Sequence, residues 1–128
     1  MITARIANAA SAVNILEPAD AANTAAATSG WVSVADYEGF LVFTQHVGTV
    51  TAGTITGKIR HATDDQGTGA ADVTGGGFTA VTTSNDHPNI QKVVVELNAI
   101  GPYVQYVGTI ATGPAVVGVS MLATAKSV

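Results

Sequence analysis

The sequence contains no cysteine. That excludes a disulfide framework, a thiol nucleophile and any zinc site built on cysteine sulfur. Charge is scarce as well: Asp, Glu, Lys and Arg make up 11% of 128 residues, where an ordinary soluble domain has roughly a quarter. Only five residues are basic, Arg5, Lys58, Arg60, Lys92 and Lys126, scattered through a chain of net charge -4. Neutralising a phosphate backbone takes clustered Lys and Arg, so nucleic acid is not an expected partner. Nowhere do about 18 apolar residues run together, the length a membrane span requires, so no membrane partner is expected either. Asn8, Ser11 and Asn14 interrupt the opening segment, which is therefore not expected to act as a secretory signal.

Thr, Ser, Asn, Ala and Gly stand where charge is missing, beside an apolar fraction of 47%. A neutral, hydroxyl-rich surface loses less hydration energy than a charged one when another protein covers it, which favours assembly. The length suits one domain with its own core.

Composition changes near Gly30. The segment before it is rich in alanine and almost free of aromatics. Alanine favours a helix, and Pro18 would suit a first helical position, but a helix that short is marginal in water without large apolar residues to dock it. Residues 1–30 are therefore read as an N-terminal arm, with one β-segment near Thr3 to Ala7. Its aliphatic anchors, Ile2, Ile6, Val13, Ile15 and Leu16, are expected to contact a neighbouring subunit, with wrapping around its own domain as the alternative. Deleting residues 1–16 should on this reading leave a folded domain that no longer assembles.

From Trp31 the period is two. "GTITGKIRH" sets Ile55 and Ile59 on one face and Lys58 and Arg60 on the other, and "QKVVVEL" turns Val93, Val95 and Leu97 inward with Lys92 and Glu96 outward. "GFLVFTQHV" is apolar on both faces at its start. The glycine triplet in "DVTGGGFTAV" suits a bulge or sharp bend, and Pro102 and Pro114 stand at strand starts, where a missing N–H costs little. Seven strands, or eight with the arm, and no amphipathic helix predict an all-β antiparallel two-sheet sandwich over residues 31–128. A jelly roll is the first choice, and an immunoglobulin-like topology stays open.

Candidate sites are few. "HATDDQGTGAAD" at residues 61–72 gathers three aspartates, but their offsets match no calcium loop, and Asp and Gly are the natural residues of a tight turn. His46, His61 and His87 are dispersed; Ser84, Asp86 and His87 lie too close in sequence to converge as a catalytic triad, and "SNDHPN" reads as a turn. "TGGG" lacks the lysine and following helix of a phosphate loop. Trp31, Tyr37, Tyr103 and Tyr106 could stack on a sugar if exposed, although a core has first claim on them. No catalytic, cofactor or metal residues are expected.

The order of "WVSVADYEGFLVFTQHVGTVTAGTITGKIRHATD", "GGGFTAVTTSNDHPNIQKVVVEL" and "PYVQYVGTIATGPAVVGVSMLATA" resembles that of the small jelly-roll decoration and capsid-stabilising proteins of tailed bacteriophages. The resemblance covers residues 31–124 and departs from the family at Gln105, where relatives carry basic residues. It implies a virion protein on the capsid exterior, bound to the major capsid protein and to copies of itself, with a trimer favoured, using no cofactor and performing no reaction. A carbohydrate-binding module and a tail or neck structural protein are the alternatives.

Overall fold

The computed structural model describes residues 10–21, 26–85, 88–112 and 114–125. Ten strands run through them: β1 (Ala10–Ala21), β2 (Ala26–Thr28), β3 (Val32–Ser33), β4 (Tyr37–Val50), β5 (Thr54–Ala62), β6 (Ala71–Gly77), β7 (Val81–Thr82), β8 (Asn89–Glu96), β9 (Tyr103–Ala111) and β10 (Ala115–Ala125). One short 3-10 turn, Leu97–Ala99, follows β8.

The strands form two antiparallel sheets, the first in the order β1-β10-β4-β8 and the second in the order β2-β9-β5-β6. β2 and β3 both pair with β9, and β6 and β7 both pair with β5, so each couple acts as one interrupted strand. The pairing is nested. β5 pairs with β6, β4 with β8, β2 and β3 with β9, and β1 with β10, each partner lying further out along the chain. The chain is thus one long antiparallel ribbon, rolled so that β10 also meets β4 and β9 also meets β5. That is the jelly roll expected from the sequence.

Alternation builds the core. From the first sheet Leu41, Phe43, Val47, Val95, Val117, Val119 and Met121 point inward, and they meet Ile55, Ile59, Phe78, Val81, Val104, Tyr106 and Ile110 from the second. Fully burying one such side chain contributes roughly 1.5–3 kcal/mol. Lys58 and Arg60 take the opposite face of β5, as the period predicts. At the glycine triplet the β5–β6 register shifts between Lys58↔Gly77 and Arg60↔Asp72, and Gly75 has a φ of 76°. The triplet therefore is a bulge.

The boundary at Gly30 does not hold. Residues 10–21, read as part of a separate arm, form the edge strand of the first sheet, and β2 belongs to the second. Ile15 is buried, and Val13 and Leu16 pack against the same core, so these three anchors serve their own subunit. Ile2, Ile6 and the segment near Thr3 to Ala7 lie outside the described residues. The physical reason is that β1 needs no apolar stripe of its own: β10 supplies a ready ladder, and only Val13, Ile15 and Leu16 have to reach inward. Pro18, which would stop a central strand, is tolerated at an edge where the register shifts between Leu16 and Ala19.

Candidate assembly surface

The aspartate-rich segment is the tip of the rolled ribbon, joining β5 to β6. Asp64 Oδ1 accepts hydrogen bonds from the amides of Gln66 at 2.9 Å and Thr68 at 3.0 Å, and the Thr63 amide and hydroxyl both donate to the Thr68 carbonyl at 3.0 Å. Asp72 lies 3.1 Å from Lys58 Nζ and 3.2 Å from Arg60 Nε. The carboxylates thus serve the turn and the two cations. Among the described residues no group of three or more His, Asp or Glu side chains is placed to hold a metal ion.

Hydrogen bonds from Thr68, first its side chain and then its backbone, hold the Asp64 carboxyl below its ordinary value of 3.8. A depressed native value means the contribution is complete above the unfolded value and is lost as pH falls through the native one. Asp64→Ala is therefore expected to lower the melting temperature at neutral pH, with the gap from the parent narrowing as pH falls through the depressed native value. Calorimetry at a series of pH values reads this. A gap that stays constant into acid would refute it.

The other candidates are dispersed by the fold. His61 Nδ1 accepts from the Gly101 amide at 2.9 Å and pins the β9 approach to β5. His46 stands exposed on the outer face of β4. Asn85 closes its turn by accepting from the Thr82 amide at 2.7 Å; Asp86 and His87 are outside the described residues. Of the four aromatics, Tyr106 is in the core, Tyr37 pairs with Ala125 at one end of the first sheet, and Tyr103 and half-buried Trp31 lie near the second sheet. They make no common platform.

Sequence reasoning missed one buried polar pair. Gln45 has the parity of Leu41, Phe43 and Val47 and is wholly enclosed; its Oε1 accepts from the Tyr106 hydroxyl at 2.5 Å. Burial pushes the Tyr106 hydroxyl well above the ordinary tyrosine range, so it remains a neutral donor. Gly57 and Gly108, paired across β5 and β9, leave the slot for that ring, and Phe78 meets it edge-on with ring centroids 6.0 Å apart. Ser29 completes the support: its Oγ accepts from the Tyr106 amide at 2.9 Å, and its carbonyl accepts from Gln105 Nε2 at 2.9 Å. Gln105, the departure from the phage proteins, is thus a brace between β9 and the β2–β3 connection.

The outer faces differ. On the second sheet Thr56 faces Thr109, and Lys58 and Arg60 are occupied by Asp72. On the first sheet the large apolar residues are uncovered: Phe40 is 59% exposed, Ile90 62%, Val94 54% and Leu122 49%. Register sets one straight row across all four strands, Ala12↔Leu122, Leu122↔Val42 and Val42↔Val94. Large uncovered apolar patches are the kind of surface on which proteins meet other molecules. Beside it a shallow depression of about 210 Å³ is lined by Asn14, Leu16, His46, Ile90 and Gly118, among others.

No family model matches the chain, and no curated protein matches its sequence. Among solved structures it is similar to a chain of the Bacillus endospore appendages, disulfide-linked pili, with 13% identity and a TM-score of 0.48 over 92% of this chain and 89% of that one. A family 29 carbohydrate-binding module from Piromyces equi shows 12% identity and a TM-score of 0.45 over 88% and 90%. Infectious bursal virus T=1 particles give 13% identity and a TM-score of 0.36, over 92% of this chain and 40% of that one. At such distances none of them indicates what this chain binds or does.

Proposed function

We propose that this chain is a virion structural protein that decorates or stabilises the capsid of a tailed bacteriophage through symmetric protein–protein contacts, with the major capsid protein as its partner. The observation that carries the reading is the apolar row Ala12–Leu122–Val42–Val94 across the outer face of the first sheet, flanked by the exposed Phe40 and Ile90. The segment order shared with the phage proteins supports the same reading. So does the use to which the reactive side chains are put: Asp64, Asp72 and His61 are engaged in holding turns and strands. Ile2 and Ile6 remain the candidates for an anchor on a neighbour, and a trimer is the arrangement the resemblance favours.

Co-sedimentation tests the proposal. The purified protein should pellet saturably with shells assembled from the major capsid protein of its phage, and Leu122→Asp should abolish pelleting while the protein keeps a cooperative melting transition. Protein left in the supernatant at every shell concentration would refute the proposal. A melting temperature raised by soluble glycans would instead favour the carbohydrate-binding reading, because a ligand of the native state alone must stabilise it.

A further inference from the structure

The four borders of the sandwich are not alike. β1 carries two register shifts, the β2–β3 line is made of three-residue and two-residue pieces, and β6 contains the glycine bulge. Broken, short or bulged edges are what keeps β-proteins from pairing edge to edge. β8 is neither short, interrupted nor bulged, and the charges it carries, Lys92 and Glu96, are opposite in sign. Its pairing with β4 runs from Phe40↔Glu96 to Val47↔Asn89 without a shift, and among the described residues no strand pairs with its other side. Gln91 ties it to the β6–β7 connection, accepting from the Thr79 amide at 2.8 Å and donating to the Thr79 carbonyl at 2.9 Å.

The outward residues of β8 alternate as Ile90, Lys92, Val94 and Glu96, all exposed. Lys92 and Glu96 stand at equal distances on either side of Val94, with opposite charge. We propose that β8 is a self-pairing edge: two copies of this chain join through antiparallel β8–β8 pairing about a two-fold axis at Val94. The axis sets Val94 beside Val94 of the second copy, and Lys92 of each copy opposite Glu96 of the other. The contact is isologous, so one patch satisfies both partners. Opposite charges directly across an antiparallel pair stabilise it, and like charges there oppose it, so the arrangement also fixes the register.

The pairing turns two four-stranded sheets into one continuous sheet and joins the two apolar rows end to end. It stands apart from the capsid reading, since it concerns contact between copies wherever the protein assembles. A two-fold contact links copies in pairs, and a three-fold cluster would need a second surface.

Light scattering on the full-length chain at high micromolar concentration tests the pairing. The native mass should be an even multiple of one chain, and Val94→Lys, at an exposed position, should halve it while circular dichroism and melting temperature stay unchanged. Lys92→Glu and Glu96→Lys, each alone, should weaken the association about tenfold, and the two together should restore it. A monomer or an odd-numbered assembly in the parent overturns the proposal. So does an even assembly indifferent to Val94→Lys, or single and double charge variants that are equally weak. Loss of capsid binding with the even mass intact would count against the functional reading alone.

Discussion

A chain lacking residues 1–16 is expected to lose its cooperative thermal transition. The truncation removes Ile15 from the core together with the half-buried Val13 and Leu16, and it strips the ladder from Ala10↔Thr124 to Leu16↔Val119. At roughly 1.5–3 kcal/mol for each fully buried aliphatic side chain and less for the half-buried pair, the lost contacts sum to about 5 kcal/mol. A domain of this size has a net stability of about 5–15 kcal/mol, so most or all of it goes. Removal of Ala10–Leu16 also uncovers β10 from Val119 to Thr124, exposing a second edge in whatever remains folded. Circular dichroism on heating measures the outcome. A truncated chain that melts within a few degrees of the full one would restore the reading of this segment as a detachable arm.

The second large effect is expected at Gly57. A Cβ there would collide with Gln45 Oε1 and would stand 2.5 Å from the Tyr106 hydroxyl and 2.6 Å from Cε2 of its ring. The ring cannot swing away, because Tyr106 is fully enclosed, Phe78 abuts it, and its amide and carbonyl are tied to Ser29. Gly57→Ala should therefore cost about 1–3 kcal/mol, the usual cost of overpacking, or a fall in melting temperature of roughly 4–12 °C. Tyr106→Leu is itself destabilising, since it opens a cavity and leaves Gln45 without its donor. In the double variant the added methyl fills part of that space, so the combined loss should be smaller than the sum of the two. Strict additivity, or a Gly57→Ala protein as stable as its parent, would show that the ring is not confined as described.

The strands after Trp31 were legible because their side chains alternate between water and core. Ile55 and Ile59 against Lys58 and Arg60 announced the two faces of β5, and Val93 and Val95 did so for β8. β1 was not legible, because an edge strand borrows half its stability from its neighbour and can be built from Ala, Ser and Asn around a single buried Ile15. Its proline and alanines speak of other structures when read without β10. Gln45 was hidden for a related reason: polarity argues for the surface, and only the parity it shares with Phe43 and Val47 signals the inside. The donor that satisfies its Oε1, Tyr106, is supplied from the opposite sheet. The uncovered row on the first sheet was half visible, as a stretch around Phe40 to Phe43 that is apolar on both faces. What completed it was the register that brings Leu122 and Val94 alongside Val42, a relation no local pattern contains.

The nested ribbon has a consequence for the ribosome. β10 occupies an inner place in its sheet, between β1 and β4, and β9 lies between the β2–β3 line and β5. While the chain is being synthesised, the early strands must wait with gaps between them for β9 and β10, which are translated after the strands they join. Neither sheet can close until both have left the ribosome. Folding is slow for a domain of this size, because nearly all the strand pairs among the described residues join distant parts of the chain.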